Sequence, residues 1–208
     1  MRLPQSATII IAAVTTFAWF VTSLFGADQW AAMTIGFIPV RFSGVPTLYP
    51  AVPAWLTPLT ATFVHDGPLH IGLNMLMLVW CGTKVERILG SGPLIVLYVA
   101  GAYTAAIAQW LVFPQSAGPM VGASGAISAV IGAFALSFGQ QKQIVSSPAL
   151  NRTLNATWLL AAWVVLQLMT QFLAGTQGYF LATPAHVGGF LAGLLLQRPL
   201  LLWRYRNA

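Results

Sequence analysis

Charge is what this sequence has least of. Nine Lys or Arg and three Asp or Glu make up 6% of 208 residues, against roughly 25% in ordinary soluble chains. So few charges cannot cover a domain of this size in water, which excludes a soluble globular protein. A hydrophobic content of 58% excludes a disordered one. The single cysteine, Cys81, rules out an internal disulfide framework and a multi-cysteine metal site, and reads as a small buried apolar residue. The net charge of +6 comes from basic residues spread along the whole chain. They form no patch, so nucleic acid is excluded as a partner. What is abundant is apolar surface: mean hydropathy is +0.79, and the solvent that suits it is a lipid bilayer.

Apolar stretches able to cross a bilayer fall near 7–25, 69–86, 93–113, 122–139, 155–173 and 184–202. They predict an all-α polytopic membrane protein, a six-transmembrane-helix bundle forming a single domain over 1–208. The second stretch is the shortest, closed by Lys84, Glu86 and Arg87, whose side chains can snorkel to the interface. The first follows Arg2 but is longer than a signal-peptide core of about 7–15 residues, so it reads as an uncleaved anchor. Eight of the nine basic residues (Arg2, Lys84, Arg87, Lys142, Arg152, Arg198, Arg204 and Arg206) fall on one side of this arrangement, and only Arg41 on the other. By the positive-inside bias both termini are cytoplasmic. The second, fourth and sixth spans then begin at the outer face. A long outer connection, about 26–68, holds Trp30 and Trp55 and is too apolar for a free linker, so it is expected to lie in the membrane interface.

Polar groups inside a membrane span mark either function or a satisfied structural bond. Three clusters sit at those three outer helix starts. His70 and Asn74, four residues apart, share one helix face. Gly122-Ala123-Ser124-Gly125 opens the fourth span, and Ala185-His186 the sixth. Ala185, Gly189 and Gly193 form a small-xxx-small row, and Gly122, Gly125 and Ala129 a second smooth strip. Such strips let helix backbones approach closely. If the two strips meet, Ser124 and His186 come within hydrogen-bond reach, the minimal arrangement of an activated nucleophile. His70, Asn74 and the Ser124 amide are then candidate donors to an oxyanion.

The acid of a triad can be sought by elimination. Glu86 is a membrane thickness away, Asp28 belongs to the long loop, and Asp66 precedes His70 in the headgroup region. A Ser–His dyad without a carboxylate is the expectation, with Asp66 as orienter the alternative. Each residue also has a plain structural reading. A serine in a Gly/Ala-rich helix bonds its own backbone, a lone histidine packs, and His70 with Asn74 can link two helices. His65 and Ser128 are secondary groups. Gln109, Gln167 and Gln171 are either interhelical bonds or holders of water near the site, and the sequence leaves both open.

The His-x-x-x-Asn of His70 to Asn74, the Gly-x-Ser-x of Gly122 to Gly125 and the Ala-His-x-x-Gly-x-x-x-Gly of Ala185 to Gly193 together resemble the rhomboid family of intramembrane serine proteases. Their order and spacing agree with that family, as does the turn from Glu86 to Gly92. The similarity runs from about Phe63 to Gly193, the motif-bearing core. The resemblance implies Ser124 as nucleophile, His186 as general base, His70, Asn74 and the Ser124 amide as oxyanion hole, and Gly122, Gly125, Gly189 and Gly193 as helix-packing support. It implies no metal and no cofactor. Its substrates would be single-span transmembrane proteins cut near the outer end of their helix, in a stretch that is locally unwound. A multi-pass location in a cell membrane, the bacterial cytoplasmic membrane by the short chain, is expected, with the active site near the outer face.

Two departures from the family pattern stand out. Its Trp-Arg pair in the long loop is missing, with Arg41-Phe42 the nearest analogue, and Ser128 stands where some relatives stack an aromatic on the catalytic histidine. A hydrogen bond from Ser128 to His186 is one expected compensation. The competing readings are a catalytically inactive rhomboid-like protein that binds transmembrane helices and a small transporter. The retained Ser124 and His186 argue against the first. The lack of mid-membrane charges and of a pseudo-repeat argues against the second.

Overall fold

The computed structural model describes residues 6–139, 143–176 and 182–206. Arg2 and Lys142, two of the residues behind the expected orientation, lie outside the described residues. Ten α-helices occur among those described: α1 Ala7–Leu24, α2 Asp28–Ile35, α3 Pro39–Phe42, α4 Thr57–Thr60, α5 Gly67–Met77, α6 Thr83–Leu89, α7 Ser91–Val112, α8 Ser124–Phe138, α9 Pro148–Thr176 and α10 Thr183–Arg204. Four of them, α1, α7, α9 and α10, are long and apolar enough to cross a membrane, and α8 is a shorter apolar helix of 15 residues. The second expected stretch is a composite. A π-helical turn, Leu78–Gly82, joins α5 to α6 and carries the rod on to Leu89, past the charges expected to end it.

The core is a seam where α10 packs against α7 and α8, and its glycines explain the closeness. A side chain on Gly189 would run into the Gly125 carbonyl, and one on Gly193 into the carbonyl of Ala129. On the other side of α8, a Cβ on Gly101 of α7 would stand 2.5 Å from the Ala129 methyl. Contacts this tight take the place of the hydrophobic drive that lipid cannot supply between helices. By contrast α9 rests mainly on α10, and most of its described side chains are exposed.

At one end of the bundle the Glu86 carboxylate gathers the start of α1. It accepts bonds from the Ser6 hydroxyl (2.6 Å), the Ala7 amide (2.6 Å), the Thr8 amide (3.1 Å) and the Thr8 hydroxyl (2.6 Å). The Ser91 hydroxyl adds a fifth at 2.7 Å. The chain turns from α6 into α7 at Gly90, whose φ of +86° favours glycine. Arg204 of α10 lies against that turn, and the Tyr205 hydroxyl donates to the Ile88 carbonyl at 3.3 Å. Cys81 is buried here and unpaired by any disulfide.

The long connection is a set of short helices packed onto the bundle. The Arg41 guanidinium donates to the Val52 carbonyl at 2.6 Å. The Phe42 ring meets Phe37 (5.6 Å) and Trp110 of α7 (5.7 Å). Arg41-Phe42, the nearest analogue of the missing Trp-Arg pair, therefore braces the connection.

Candidate active site

The start of α8 is pinned from outside at nearly every residue. Phe37 and Met120 exchange backbone bonds of 3.0 and 2.7 Å, and the Gly122 amide donates to the Ala61 carbonyl at 3.0 Å. The next amide, Ala123, donates to His65 Nε2 at 3.3 Å. His65 is fully buried, and burial together with the nearby His70 holds its imidazole well below the ordinary value, at about 4. It is therefore neutral and able to accept. Gly122 adopts φ +110°, which favours glycine. A side chain there would collide with the His70 ring at 2.7 Å. Ser124 follows, as the first residue of the helix.

His186 lies in the first turn of α10 and meets Ser124 across the glycine seam, Nε2 to Oγ at 2.8 Å. Its other nitrogen, Nδ1, is 2.8 Å from Oε1 of Gln167 on α9. The backbone carbonyl of His186 accepts from Trp163 Nε1 at 3.2 Å, and the Trp163 ring stacks on Phe190 at 4.8 Å with a 9° tilt. Together these fasten α9 to α10 beside the histidine.

His70 has its tautomer set locally. The Asp66 backbone amide donates to Nδ1 at 3.3 Å, so the ring proton is on Nε2, which faces Gly122 and the Ser124 side. Asn74 is buried, and its Nδ2 donates to the His70 carbonyl at 2.9 Å. One of its two amide protons remains for another acceptor. A water-sized cavity adjoins Ser124, walled by Gly122, Met120, Ala105, Ala126 and Ala185.

Other expectations resolve differently. The Ser128 hydroxyl donates to the Ser124 carbonyl at 2.8 Å, not to His186. A helical serine reaches the carbonyl one turn back more easily than a neighbouring helix, and Gly189 closes over its Cβ. Asp66 touches the site through its amide, while Asp28 pairs with the Ser23 hydroxyl at 2.9 Å. Of the three glutamines, Gln167 meets His186 and Gln171 accepts from Thr183 at 3.4 Å. The Gln109 Oε1 is buried on α7 without a bond among the described residues. Sequence reasoning left Gln167 undecided and read His65 as a secondary group. The one signal for Gln167 was a polar residue within an apolar run, and that does not say which helix it faces.

The fold is that of a helical, multi-pass membrane protein with one of its polar clusters at the Ser124 end of a glycine seam. The rhomboid domain family model matches residues 53–203, and the chain belongs to the rhomboid family. It is 34% identical over 159 residues to Rhomboid-like protein 11, chloroplastic, of Arabidopsis thaliana, covering 72% of this chain and 54% of that protein. Rhomboid protease GlpG of Klebsiella pneumoniae is 31% identical over 138 residues, 64% of this chain and 44% of that one. Rhomboid protease GluP of Bacillus subtilis is 40% identical over 79 residues, 38% and 15% of the two chains. The chain thus spans about half or less of the length of these curated relatives.

Proposed function

We propose that this protein is an intramembrane serine endopeptidase acting through Ser124 and His186, and that it hydrolyses substrate transmembrane helices near their outer end. The observation that carries the reading is the 2.8 Å contact between Ser124 Oγ and His186 Nε2, made between two helix starts held backbone to backbone. Membership of a family whose relatives include proteins named as proteases supports it.

In this mechanism Ser124 Oγ attacks the scissile carbonyl carbon as its proton passes to His186 Nε2. The oxyanion accepts from His70 Nε2–H, the free Asn74 amide proton and the Ser124 N–H. Collapse breaks the C–N bond, and the imidazolium returns its proton to the leaving amine. Water then attacks the acyl ester with Nε2 again as base, releasing the carboxylate product and restoring the serine. A continuous helix hides its carbonyls in its own hydrogen bonds, so the substrate must unwind at the cut. The alanine- and glycine-walled cavity beside Ser124 suits a small side chain there.

The bundle is read as six spans in one domain, the α5–α6 rod and α8 supplying the two beyond the four long helices. Both termini are cytoplasmic in this reading. Lys84, Arg87, Arg152, Arg198, Arg204 and Arg206 then face the cytoplasm, which the positive-inside bias favours. Along α10, His186 and Arg204 are about 27 Å apart, so the site lies near the opposite, outer face.

The test uses purified protein in detergent and a fluorophosphonate probe, comparing the wild type with Ser124→Ala and His186→Ala. Labelling of the wild type alone is expected. A folded wild type that neither labels nor cleaves a model transmembrane substrate in bilayers would replace the protease reading with a helix-binding, inactive one.

A further inference from the structure

Helix α9 rests on α10 and leaves most of its described side chains exposed. Leu166, Leu168 and Met169 are 51, 57 and 58% exposed, while Gln167 between them is 7% exposed. It is the one buried residue among the described side chains of α9. A helix that hides a single residue ordinarily hides an apolar one, because an amide removed from water must find partners or cost stability. Gln167 finds one in the ring of His186, at 2.8 Å from Nδ1.

We infer that Gln167 is the positioning residue of the site: its amide oxygen holds the proton of His186 on Nδ1 and turns Nε2 toward Ser124. This rests on the serine–histidine reading above. A neutral imidazole carries one ring proton, so one nitrogen donates while the other accepts. With an amide oxygen at Nδ1 the proton resides there, and the Nε2 lone pair faces the Ser124 hydroxyl at 2.8 Å. That is the tautomer a general base requires. No carboxylate competes for this position. Glu86 is occupied at the other end of the bundle, Asp28 with Ser23, and Asp66 adjoins His70 rather than His186. The site is therefore a three-part array from three helices, α8, α10 and α9, with an orienting amide in the third place. Trp163, one turn before Gln167 on the same face, bonds the His186 backbone. It seats α9 so that the amide reaches the ring.

A neutral amide orients the imidazole but stabilises the imidazolium less than a carboxylate does, so its loss has a moderate effect. Gln167→Met keeps the volume and removes the acceptor, and should lower kcat about ten- to a hundredfold with KM unchanged. Gln167→Glu restores an acceptor and should recover most of the rate. Nitrogen-15 spectra of the His186 side chain should show the Nδ1–H tautomer in the wild type and a mixture in Gln167→Met. A folded Gln167→Met with wild-type kcat, or with an unchanged tautomer, overturns the inference. The spectra decide it even in a protein that fails to label with the probe, an outcome that would count against the protease reading alone.

Discussion

The two ends of the bundle each hold a polar cluster in an apolar chain, and they differ in how fully it is satisfied. At the Glu86 end, one carboxylate accepts five hydrogen bonds from Ser6, Ala7, Thr8 and Ser91. Its capacity is used up in tying α1 to the α6–α7 turn. At the Ser124 end, the bonds are arranged so that particular atoms stay available. His70 is capped at Nδ1 and presents Nε2–H, Asn74 keeps one amide proton, and Ser124 is among the residues lining a water-sized cavity. A saturated polar cluster in a membrane protein is a fastener. One that leaves particular donors unspent keeps them for a further acceptor.

That difference makes separable predictions. At the Ser124 end, Ser124→Ala should abolish probe labelling and cut peptide hydrolysis by roughly 10⁴-fold or more. Its melting temperature should stay close to that of the wild type. A large loss of stability there would erase the contrast between the ends. At the other end, Glu86→Ala should act the opposite way. Leaving five donors without their acceptor should cost about 1–3 kcal/mol, read as a lower thermal midpoint, while labelling of the folded fraction continues at the wild-type rate. Between the two ends, Gly189→Ala forces a methyl against the Gly125 carbonyl. It should cost about 1–3 kcal/mol by overpacking and also slow labelling, since the same seam holds Ser124 to His186. A Gly189→Ala protein that is destabilised but labels normally would separate packing from site geometry. The smallest effect belongs to Asp66→Asn. The bond to His70 comes from the backbone, so activity should remain within about twofold of wild type. A loss of several orders of magnitude would give the carboxylate a role in the site beyond that of its backbone amide.

Much of this is legible in the residues alone, for reasons of solvent and periodicity. The shortage of charge and the long apolar runs are properties of composition, and a bilayer accepts few solutions other than helices for such a chain. The edges are less legible. The α5–α6 rod passes through a π turn and runs to Leu89, beyond Lys84 and Glu86, because Glu86 is satisfied by α1 and Ser91. Residues 26–68 read as an interfacial connection. The same segment also clamps the entry to α8 through Phe37, Ala61 and His65, pairings remote in sequence.

By itself the sequence determined an apolar helical chain, the small-residue strips and the kinds of polar group at three helix starts, because each depends on residue type at short spacing. Only the tertiary structure decided which atoms those groups meet. Ser128 turns to its own helix, Asp66 contributes an amide, and Gln167 reaches His186 from a helix whose other described side chains are all at least partly exposed. A hydrogen bond depends on the rotation of each helix about its axis and on angstrom-scale separations between helices. Those are set by the packing of the whole seam, and local spacing carries no record of them.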